Sequence, residues 1–346
     1  AGLHQAGAAL SGACLVFIVT QGGTQVKRYI LKKMITAFFI VLVVIVINFL
    51  IIKLAPGDPV RILAGADTVT EDMIEALTIE FGLDQPLHVQ LWKYIVNLFH
   101  GDLGDSFAYS QPVTTLIAER FWNSLLLSGT SAILAVILDC WLGLYAGKNH
   151  GGLLDRCFSG VAYLFNSMPA FWLGMMGILL FASTLKWLPT QGMYNLRAGN
   201  TGLAHVGDVL VHMILPCASL IAIQIPSYFR ITKTSVMQVM ADDYIMTFRV
   251  TGMSEKKIFR KYILKNAILP VLTVFGINLA YVVSGSTLTE IVFSWPGIGS
   301  MMYRAIMMRD YNVLMGIYLI LALSVAAMMI VVDLVYAWLD PRIRYT

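Results

Sequence analysis

The chain has 346 residues, of which 58% are apolar and only 13% are charged, and its 24 basic and 20 acidic residues give a net charge of +4. Soluble domains carry about 45–50% apolar and about 25% charged residues, so this chain has roughly half the charge that a water-facing surface needs. Its 17 Phe, 15 Tyr and 7 Trp residues are also far more than a disordered chain carries. The composition therefore excludes a soluble globule and a disordered polymer, and it indicates a membrane protein.

Six apolar stretches are long enough to cross a bilayer as helices. A hydrocarbon core of about 30 Å needs about 20 residues at 1.5 Å per residue. The predicted spans are residues 35–54, 124–147, 158–180, 209–228, 268–288 and 313–339. The third span contains Pro169, which a spanning helix tolerates when neighbouring groups satisfy the freed carbonyl. The sequence predicts an all-α polytopic membrane protein with six transmembrane helices.

The charges of the connections predict the orientation of these spans. Four basic residues precede the first span: Lys27, Arg28, Lys32 and Lys33. The connection 55–123 has ten acidic and three basic residues, whereas the connection 230–265 has eight basic and three acidic residues. Because positively charged connections stay in the cytoplasm, both termini and residues 230–265 are predicted to be cytoplasmic, and residues 55–123 to be extracytoplasmic.

The first 25 residues do not fit a targeting signal or a further span. Their apolar stretch, residues 8–20, is short, lacks a basic segment before it, and is followed by glycine-rich residues 21–25. We interpret residues 1–25 as a tag or a mis-set start, and residues 26–346 as the transmembrane domain.

The extracytoplasmic connection 55–123 is predicted to be a helical insertion between the first two spans. Thr68 and Glu71 form a capping box that begins one helix. Pro86 begins a second helix, whose apolar stripe is spaced as in an amphipathic helix. These helices could cover a pore or receive a partner, or they could be a packed loop that only covers the bundle.

The cytoplasmic connection 230–265 contains a predicted short amphipathic helix. Gly252 breaks the chain, and Ser254 is placed to cap a helix that starts at Glu255. One face of this helix is basic (Lys256, Lys257, Arg260 and Lys261), and the other is apolar (Ile258, Phe259, Tyr262 and Ile263). The pattern predicts a helix of about 10 residues that lies on the membrane surface or in the groove of a partner. An anchor that only binds anionic lipid is the alternative.

Asp139 is a carboxylic acid inside the second predicted span. A carboxylate there costs about 2.5–3.5 kcal/mol on insertion scales, so we expect it to face the bundle interior, a partner subunit or water. It is a candidate contact in a translocation path, and a structural pairing is the alternative reading. An ion-coupled secondary transporter that uses Asp139 is the second functional hypothesis. Asp333, in the last span, is expected to hydrogen-bond between helices.

The sequence shows no complete metal site and no ATP site. The cysteines form no CxxC pair, the histidines have no HExxH or HxxxH spacing, and His205 with His212 would be an incomplete ligand set. Residues 143–148 (GLYAGK) resemble a phosphate-binding loop, but they lack its final Ser or Thr and its preceding strand. We expect no metal site, no cofactor, no ATP hydrolysis and no nucleic-acid partner in this chain.

Nine short motifs, in one order along the chain, resemble the peptide/nickel class of ABC-importer permeases. They are residues 54–59 (LAPGDP), 81–87 (FGLDQPL), 101–104 (GDLG), 188–192 (LPTQG), 243–244 (DY), 266–270 (NAILP), 293–299 (FSWPGIG), 309–311 (RDY) and 339–342 (LDPR). The likeness covers about residues 26–345. The chain is similar to one of the two permeases of a dipeptide, oligopeptide or nickel importer.

The resemblance implies a fold, a function and a set of partners. The fold is the type I ABC-importer permease architecture, in a bacterial-type cytoplasmic (inner) membrane. The function is that of a membrane-spanning subunit of an ATP-driven importer for peptides or for nickel and other metal complexes. A second homologous permease would complete the path, two ATP-binding subunits would hold ATP and Mg, and an extracytoplasmic binding protein would deliver cargo.

The resemblance also implies which residues couple the permease to its ATPases. In the family, the cytoplasmic turn before a Leu-Pro pair is a coupling helix that sits in a cleft of the ATPase. The equivalent here is the segment from Asp243 to Pro270, centred on Gly252. The candidate coupling residues are Asp243, Gly252, Ser254, Glu255, Lys256 and Arg260. The chain departs from the general importer pattern at residues 247–250 (TFRV), and its distance from Gly252 to Leu269 is longer.

Overall fold

The structure is a computed structural model that describes residues 31–51, 79, 84–106, 108–279, 282 and 286–339, with side chains up to residue 332. Within these ranges the chain is helical, with one isolated β-bridge between Asp105 and Pro112. The helices are α1 Leu31–Ile51, α2 Leu87–Phe99, α3 Val113–Lys148, α4 Leu153–Asn166, α5 Ala170–Thr184, α6 Leu203–Ala241, α7 Asp243–Val250, α8 Glu255–Leu279, α9 Thr287–Val292, α10 Ile298–Met308 and α11 Tyr311–Leu339. The predictions for residues 1–25 and for the helix after Thr68 lie outside the described residues.

The long helices account for the predicted spans. Among the described residues, α1, α3, α6, α8 and α11 are each long and apolar enough to cross a membrane, and α4 and α5 pass the same test as a pair. A helix satisfies all its backbone hydrogen bonds internally, which the hydrocarbon core requires. α3 and α6 have 36 and 39 residues. Their lengths of about 54 and 58 Å exceed the bilayer core, so both extend beyond it.

α3 and α6 run parallel to each other and form the centre of the bundle. At one end, Leu127 of α3 packs with Val209 and Met213 of α6. At the other end, Gly143 of α3 lies against Thr232, which is far along α6. Because the two helices advance in the same direction, the chain between them must cross back through the bundle.

This crossing is made by α4 and α5, two helices where the sequence predicts one spanning helix that contains Pro169. The two helices meet at an angle of 106° on either side of residues 167–169. Pro169 caps the start of α5 in an extended conformation, with φ −65° and ψ 141°. The proline therefore ends one helix and starts another instead of being absorbed within a span. The pair still connects opposite ends of the bundle, so it counts as one broken span and the described residues contain six candidate spans.

The remaining helices alternate in direction around α3 and α6. Ile258 of α8 packs with Val236 and Val271 packs with Tyr228, so α8 runs antiparallel to α6. α11 runs parallel to α3, and Phe49 near the end of α1 packs in the same cluster as Val113, the first residue of α3. We call the end of the bundle that carries α7 the α7 end, and the opposite end the far end.

Candidate functional site

The short helix α7 joins the end of α6 to the start of α8. It begins after Asp242, whose backbone is extended, and the chain reverses at Gly252, which has a φ of +79°. Residues with a side chain disfavour this left-handed conformation, which glycine adopts freely. No atom lies within 4 Å of a Cβ built at Gly252. Backbone geometry, not crowding, therefore favours glycine at this turn.

The inner face of α7 is packed into the bundle. Ile245 is fully buried and shares a cluster with Val236 of α6 and Ile258 of α8. Fully burying such a side chain contributes about 1.5–3 kcal/mol. The helix is therefore held against both of the long helices that it connects.

A ring contact and a hydrogen bond add to this attachment. The rings of Phe248 in α7 and Tyr262 in α8 have centroids 4.2 Å apart. The side-chain amide of Asn266 donates a hydrogen bond of 3.0 Å to the hydroxyl of Tyr244. Displacing α7 would disturb α8 directly, which is the property that a coupling element needs.

Three of the predicted coupling residues lie where α7 and α8 begin. Ser254 occupies the N-cap position of α8, with φ −64° and ψ 139°, although its side chain makes no capping hydrogen bond. Glu255, the first residue of α8, accepts a hydrogen bond of 2.8 Å from Nε of Arg249 in α7. Asp243 is the first residue of α7 and is exposed. The Arg249–Glu255 pair ties the two sides of the turn together.

The basic helix that the sequence predicts after Ser254 has the predicted faces but not the predicted extent. Lys256 and Arg260 are exposed, whereas Ile258 and Ile263 are fully buried. The prediction of a separate surface helix is wrong, because α8 continues from Glu255 into the fifth span through a π-helical turn at residues 259–263. Exposed basic side chains do not end a helix when apolar residues follow. The short surface helix is α7 instead.

The outer face of α7 carries exposed apolar side chains. The exposed fractions of Met246 and Val250 are 60% and 81%. Both side chains lie on a helix whose other face is anchored in the bundle. α7 therefore presents an apolar surface that faces away from the bundle.

Asp139 lies inside the bundle, at the interface of α3 and α6. It is fully buried, and neither carboxyl oxygen has a hydrogen-bond partner among the described residues. Ala135 and Gly143, about one turn away on either side, pack against α6. The expected interior position is confirmed, but the described side chains provide no structural pairing for this acid. Its role in a translocation path stays a prediction, and the side chain of Asp333 lies outside the described residues.

The glycines of the phosphate-loop-like segment 143–148 serve helix packing. A Cβ at Gly143 would lie 2.6 Å from Cβ of Thr232, and one at Gly147 would lie 2.8 Å from Cβ of Val236. Small residues four apart allow two membrane helices to approach closely. This segment is part of α3 and packs against α6. It has neither the loop nor the exposed backbone that bind a phosphate.

A buried acid that the sequence analysis did not identify holds the hairpin of α9 and α10 against α3. The Glu290 carboxyl group accepts hydrogen bonds from the hydroxyls of Ser124 and Ser286, at 2.6 and 2.8 Å. It accepts a third, of 3.0 Å, from the backbone N–H of Ser300. Gly297 lies so close that a Cβ there would be 2.4 Å from the carboxyl group. The glycine is required by this close approach.

The motif at residues 293–299 forms the tip of this hairpin. The indole of Trp295, which is fully buried, donates a hydrogen bond of 2.9 Å to the carbonyl of Asn123. The carbonyl of Phe293 accepts one of 2.8 Å from the N–H of Gly192, in the motif at residues 188–192. Two motifs about a hundred residues apart therefore form one packed unit at the far end.

Two other motifs of the resemblance meet nearby. Asp310, in the motif at residues 309–311, is buried and accepts a hydrogen bond of 2.5 Å from the hydroxyl of Ser106. Asn312 donates one of 2.8 Å to the carbonyl of Asp105. These bonds fix the start of α11 to the segment that follows the motif at residues 101–104.

The histidines near the far end are engaged within the protein. Nδ1 of His212 lies 3.1 Å from a carboxyl oxygen of Asp208. The ring of His205 packs on that of Tyr194, with centroids 4.7 Å apart. In the part of the chain that the structure describes, no three His, Cys, Asp or Glu side chains form a metal-binding group.

Comparison with known proteins identifies the molecule that these features belong to. A family model described as the binding-protein-dependent transport system inner membrane component matches residues 140–345, and the model for its N-terminal part matches residues 26–128. The chain belongs to this family. It is a permease subunit of an ABC importer, and the ion-coupled carrier hypothesis is replaced by an ATP-driven one.

Curated relatives match nearly the whole permease. The glutathione transport system permease protein GsiC of Salmonella paratyphi A is 37% identical over 318 residues, 92% of this chain and 99% of that protein. A Brucella abortus protein named as a peptide transport system permease is 36% identical over 316 residues, 91% of this chain and 98% of that protein.

A solved structure shares the fold. The MetNI methionine ABC transporter, in an inward-facing conformation, matches with a TM-score of 0.51 and 17% sequence identity, covering 65% of this chain and 96% of the matched chain. The all-α permease architecture predicted from sequence is thereby confirmed. As in other members of the family, ATP hydrolysis belongs to partner ATPase subunits, and the permease is a component of the inner membrane.

Proposed function

We propose that α7 is the coupling helix, through which partner ATPases move the permease. The observation that carries this proposal is the contrast between its two faces. Ile245 anchors one face between α6 and α8, whereas Met246 and Val250 expose apolar surface on the other. A short helix that is rigidly attached on one side can transmit the closure of a soluble domain to helices in lipid.

The proposed orientation places α7 in the cytoplasm. The exposed basic residues at the α7 end include Lys256, Lys257, Arg260 and Lys261. Positive charge in short connections favours the cytoplasmic side, and basic residues also steer association with an acidic partner surface. In this orientation α1 begins and α11 ends on the cytoplasmic side, and the α9–α10 hairpin faces outward.

The proposed cargo is a peptide, delivered by an extracytoplasmic binding protein at the far end. Support comes from relatives named for glutathione and peptide transport that align with more than nine-tenths of the permease. A second, homologous permease and two ATP-binding subunits complete the proposed complex, with ATP and Mg held by the ATPases. Among the described residues nothing favours nickel over a peptide, since no three-residue metal-binding group is present there.

Substituting the outer face of α7 tests the coupling proposal. We expect the double variant Met246→Asp, Val250→Asp to lose co-purification with the ATPase subunits at least tenfold and to lose ATP-driven peptide uptake, because a desolvated apolar contact gains two charges. The measurements are the ATPase-to-permease ratio after affinity purification and uptake into proteoliposomes.

The matched control is Leu196→Asp, at a residue that is 81% exposed near the far end. It should leave ATPase co-purification unchanged. An unchanged ratio in the α7 double variant would contradict the coupling proposal, and uptake driven by a pH gradient without ATP would contradict the importer mechanism.

A further inference from the structure

A cavity of about 330 Å³ lies between α4 and α6, in the half of the bundle that approaches the α7 end. Along α6 the lining runs from Pro226 through Phe229, Arg230 and Lys233 to Met237 toward that end, and His150 lines it just before α4. The cavity thus combines cationic and apolar side chains in the half of the bundle that approaches the α7 end. No residue of the proposed coupling surface belongs to it.

Most of the charge at the cavity is already compensated. Nζ of Lys233 lies 2.5 Å from a carboxyl oxygen of Asp155. The other oxygen of that carboxyl group accepts a hydrogen bond of 2.9 Å from the N–H of Gly151 and lies 3.2 Å from Nδ1 of His150. Asp155 therefore neutralises Lys233 and has no oxygen left for a ligand.

Arg230 carries the uncompensated charge. Its side chain is exposed and has no carboxylate partner in the described ranges of the chain. No Asp or Glu lines the cavity. The site therefore suits a ligand with one negative charge, which a guanidinium binds through paired hydrogen bonds. Its lining offers no carboxylate to an ammonium group, which a zwitterionic peptide or phosphatidylethanolamine would bring.

The helix α4, which lines the cavity, also carries exposed apolar side chains. Tyr163 of α4 lines the cavity and is 66% exposed. Val161 and Leu164, on either side of it, are also about half exposed. In a permease that spans the membrane, such a face of α4 meets lipid chains.

We propose that this cavity binds the phosphodiester of an anionic phospholipid, such as phosphatidylglycerol, through Arg230, with its acyl chains along the exposed face of α4. Basic pockets between transmembrane helices near a membrane surface recognise anionic headgroups in this way. The single negative charge of the phosphodiester matches the single free guanidinium. The proposal needs the permease to span the membrane, but it does not depend on the coupling role of α7.

Lipid binding by the assembled importer tests this proposal. The complex is delipidated in detergent and titrated with phosphatidylglycerol, phosphatidylethanolamine, inorganic phosphate and a dipeptide. We expect phosphatidylglycerol to bind at least tenfold more tightly than the other three probes. Arg230→Gln should weaken phosphatidylglycerol binding about tenfold through loss of a charge-assisted contact, and Arg230→Lys should restore part of it.

Arg156→Gln is the matched control, because Arg156 is an exposed arginine of α4 that does not line the cavity. It should bind phosphatidylglycerol as the unsubstituted complex does. If the Arg230→Gln complex fails to assemble, the preference of the unsubstituted complex for phosphatidylglycerol over the other three probes still tests the proposal. Equal binding of phosphatidylethanolamine or inorganic phosphate, displacement by the dipeptide, or an equal loss in Arg156→Gln would overturn the proposal.

Discussion

Glu290 and Asp139 are both buried carboxylic acids of the bundle, and they differ in what surrounds them. Glu290 accepts three hydrogen bonds, whereas Asp139 has no partner among the described side chains. A buried polar group without a partner costs about 1–3 kcal/mol. Glu290 therefore joins α3 to the α9–α10 hairpin, whereas the described side chains give Asp139 no such structural role.

Gly297→Ala should destabilise the permease by disrupting the Glu290 network. The added Cβ would lie 2.4 Å from the carboxyl group of Glu290 and 2.5 Å from Oγ of Ser124. Overpacking of this kind costs about 1–3 kcal/mol. The expected result is a lower Tm of the purified permease in detergent, measured by the fluorescence of its tryptophans.

Gly129→Ala is the matched control for this prediction. Nothing lies within 4 Å of a Cβ built at Gly129 in α3, and alanine is the better helix former by about 1 kcal/mol. Its Tm should equal or exceed that of the unsubstituted permease. Equal melting of the two variants would show that the hairpin does not need the close approach at Gly297.

The sequence alone predicts the burial of only one of these two acids. Asp139 interrupts an apolar run of span length, so its burial could be predicted from hydropathy alone. Glu290 lies just beyond the predicted end of the fifth span at residue 288, where an acid is unremarkable. The partners of Glu290 are more than 160 residues away or in its own hairpin, and no periodicity connects them.

At the level of helices, the parallel contact of α3 and α6 organises the bundle. It depends on Gly143 and Gly147, which bring the two backbones together near the α7 end. The backbone carbonyl of Phe229 would lie only 2.9 Å from a Cβ at Gly143. Because a backbone atom cannot turn aside as a side chain can, this contact has little room for adjustment.

Gly143→Leu should therefore separate α3 from α6. We expect a loss of about 1–3 kcal/mol or more through overpacking, observed as a lower Tm and a smaller monodisperse fraction in size-exclusion chromatography. Gly160→Leu is the matched control, because it makes the same substitution in α4, where nothing lies within 4 Å of a Cβ built at Gly160. A similar loss in both variants would mean that added apolar bulk, not the crossing, is responsible.

Hydropathy predicted where the helices lie but not how they bend or join. The described residues of the six apolar stretches are mostly helical, because a bilayer core requires it. The 106° bend between α4 and α5 lies at Pro169, which the sequence marked. The sequence could not show whether this proline is absorbed within a span or divides it, because a spanning helix can tolerate a proline. The charges after Ser254 suggested a separate surface helix, since local charge does not show whether a helix continues into an adjacent span.

For the whole molecule, the direction of every crossing follows from a few contacts. Parallel α3 and α6 require the bent pair to cross, antiparallel α8 crosses back, and α11 returns beside α3. The basic connection 230–265 then falls at the α7 end, and the part of the acidic connection that the structure describes from residue 84 onward falls at the far end. This arrangement agrees with the charge asymmetry of the sequence, which is independent of any contact.

Cysteine labelling in intact cells tests this topology at both ends of the bent pair. Asn149 before α4 and Arg197 after α5 are exposed residues, and we expect them to face opposite sides of the membrane. In a background without native cysteines, Arg197→Cys should react with an impermeant maleimide in intact cells. Asn149→Cys should react only after permeabilisation.

Two further positions calibrate the labelling. Gln111→Cys at the far end should label like Arg197→Cys, and Thr251→Cys beside α7 should label like Asn149→Cys, since all four residues are exposed. Labelling of Asn149→Cys and Arg197→Cys from one side would mean that α4 and α5 form a re-entrant loop. The parallel packing of α3 and α6 would then be impossible, because the chain could not return to the far end to begin α6.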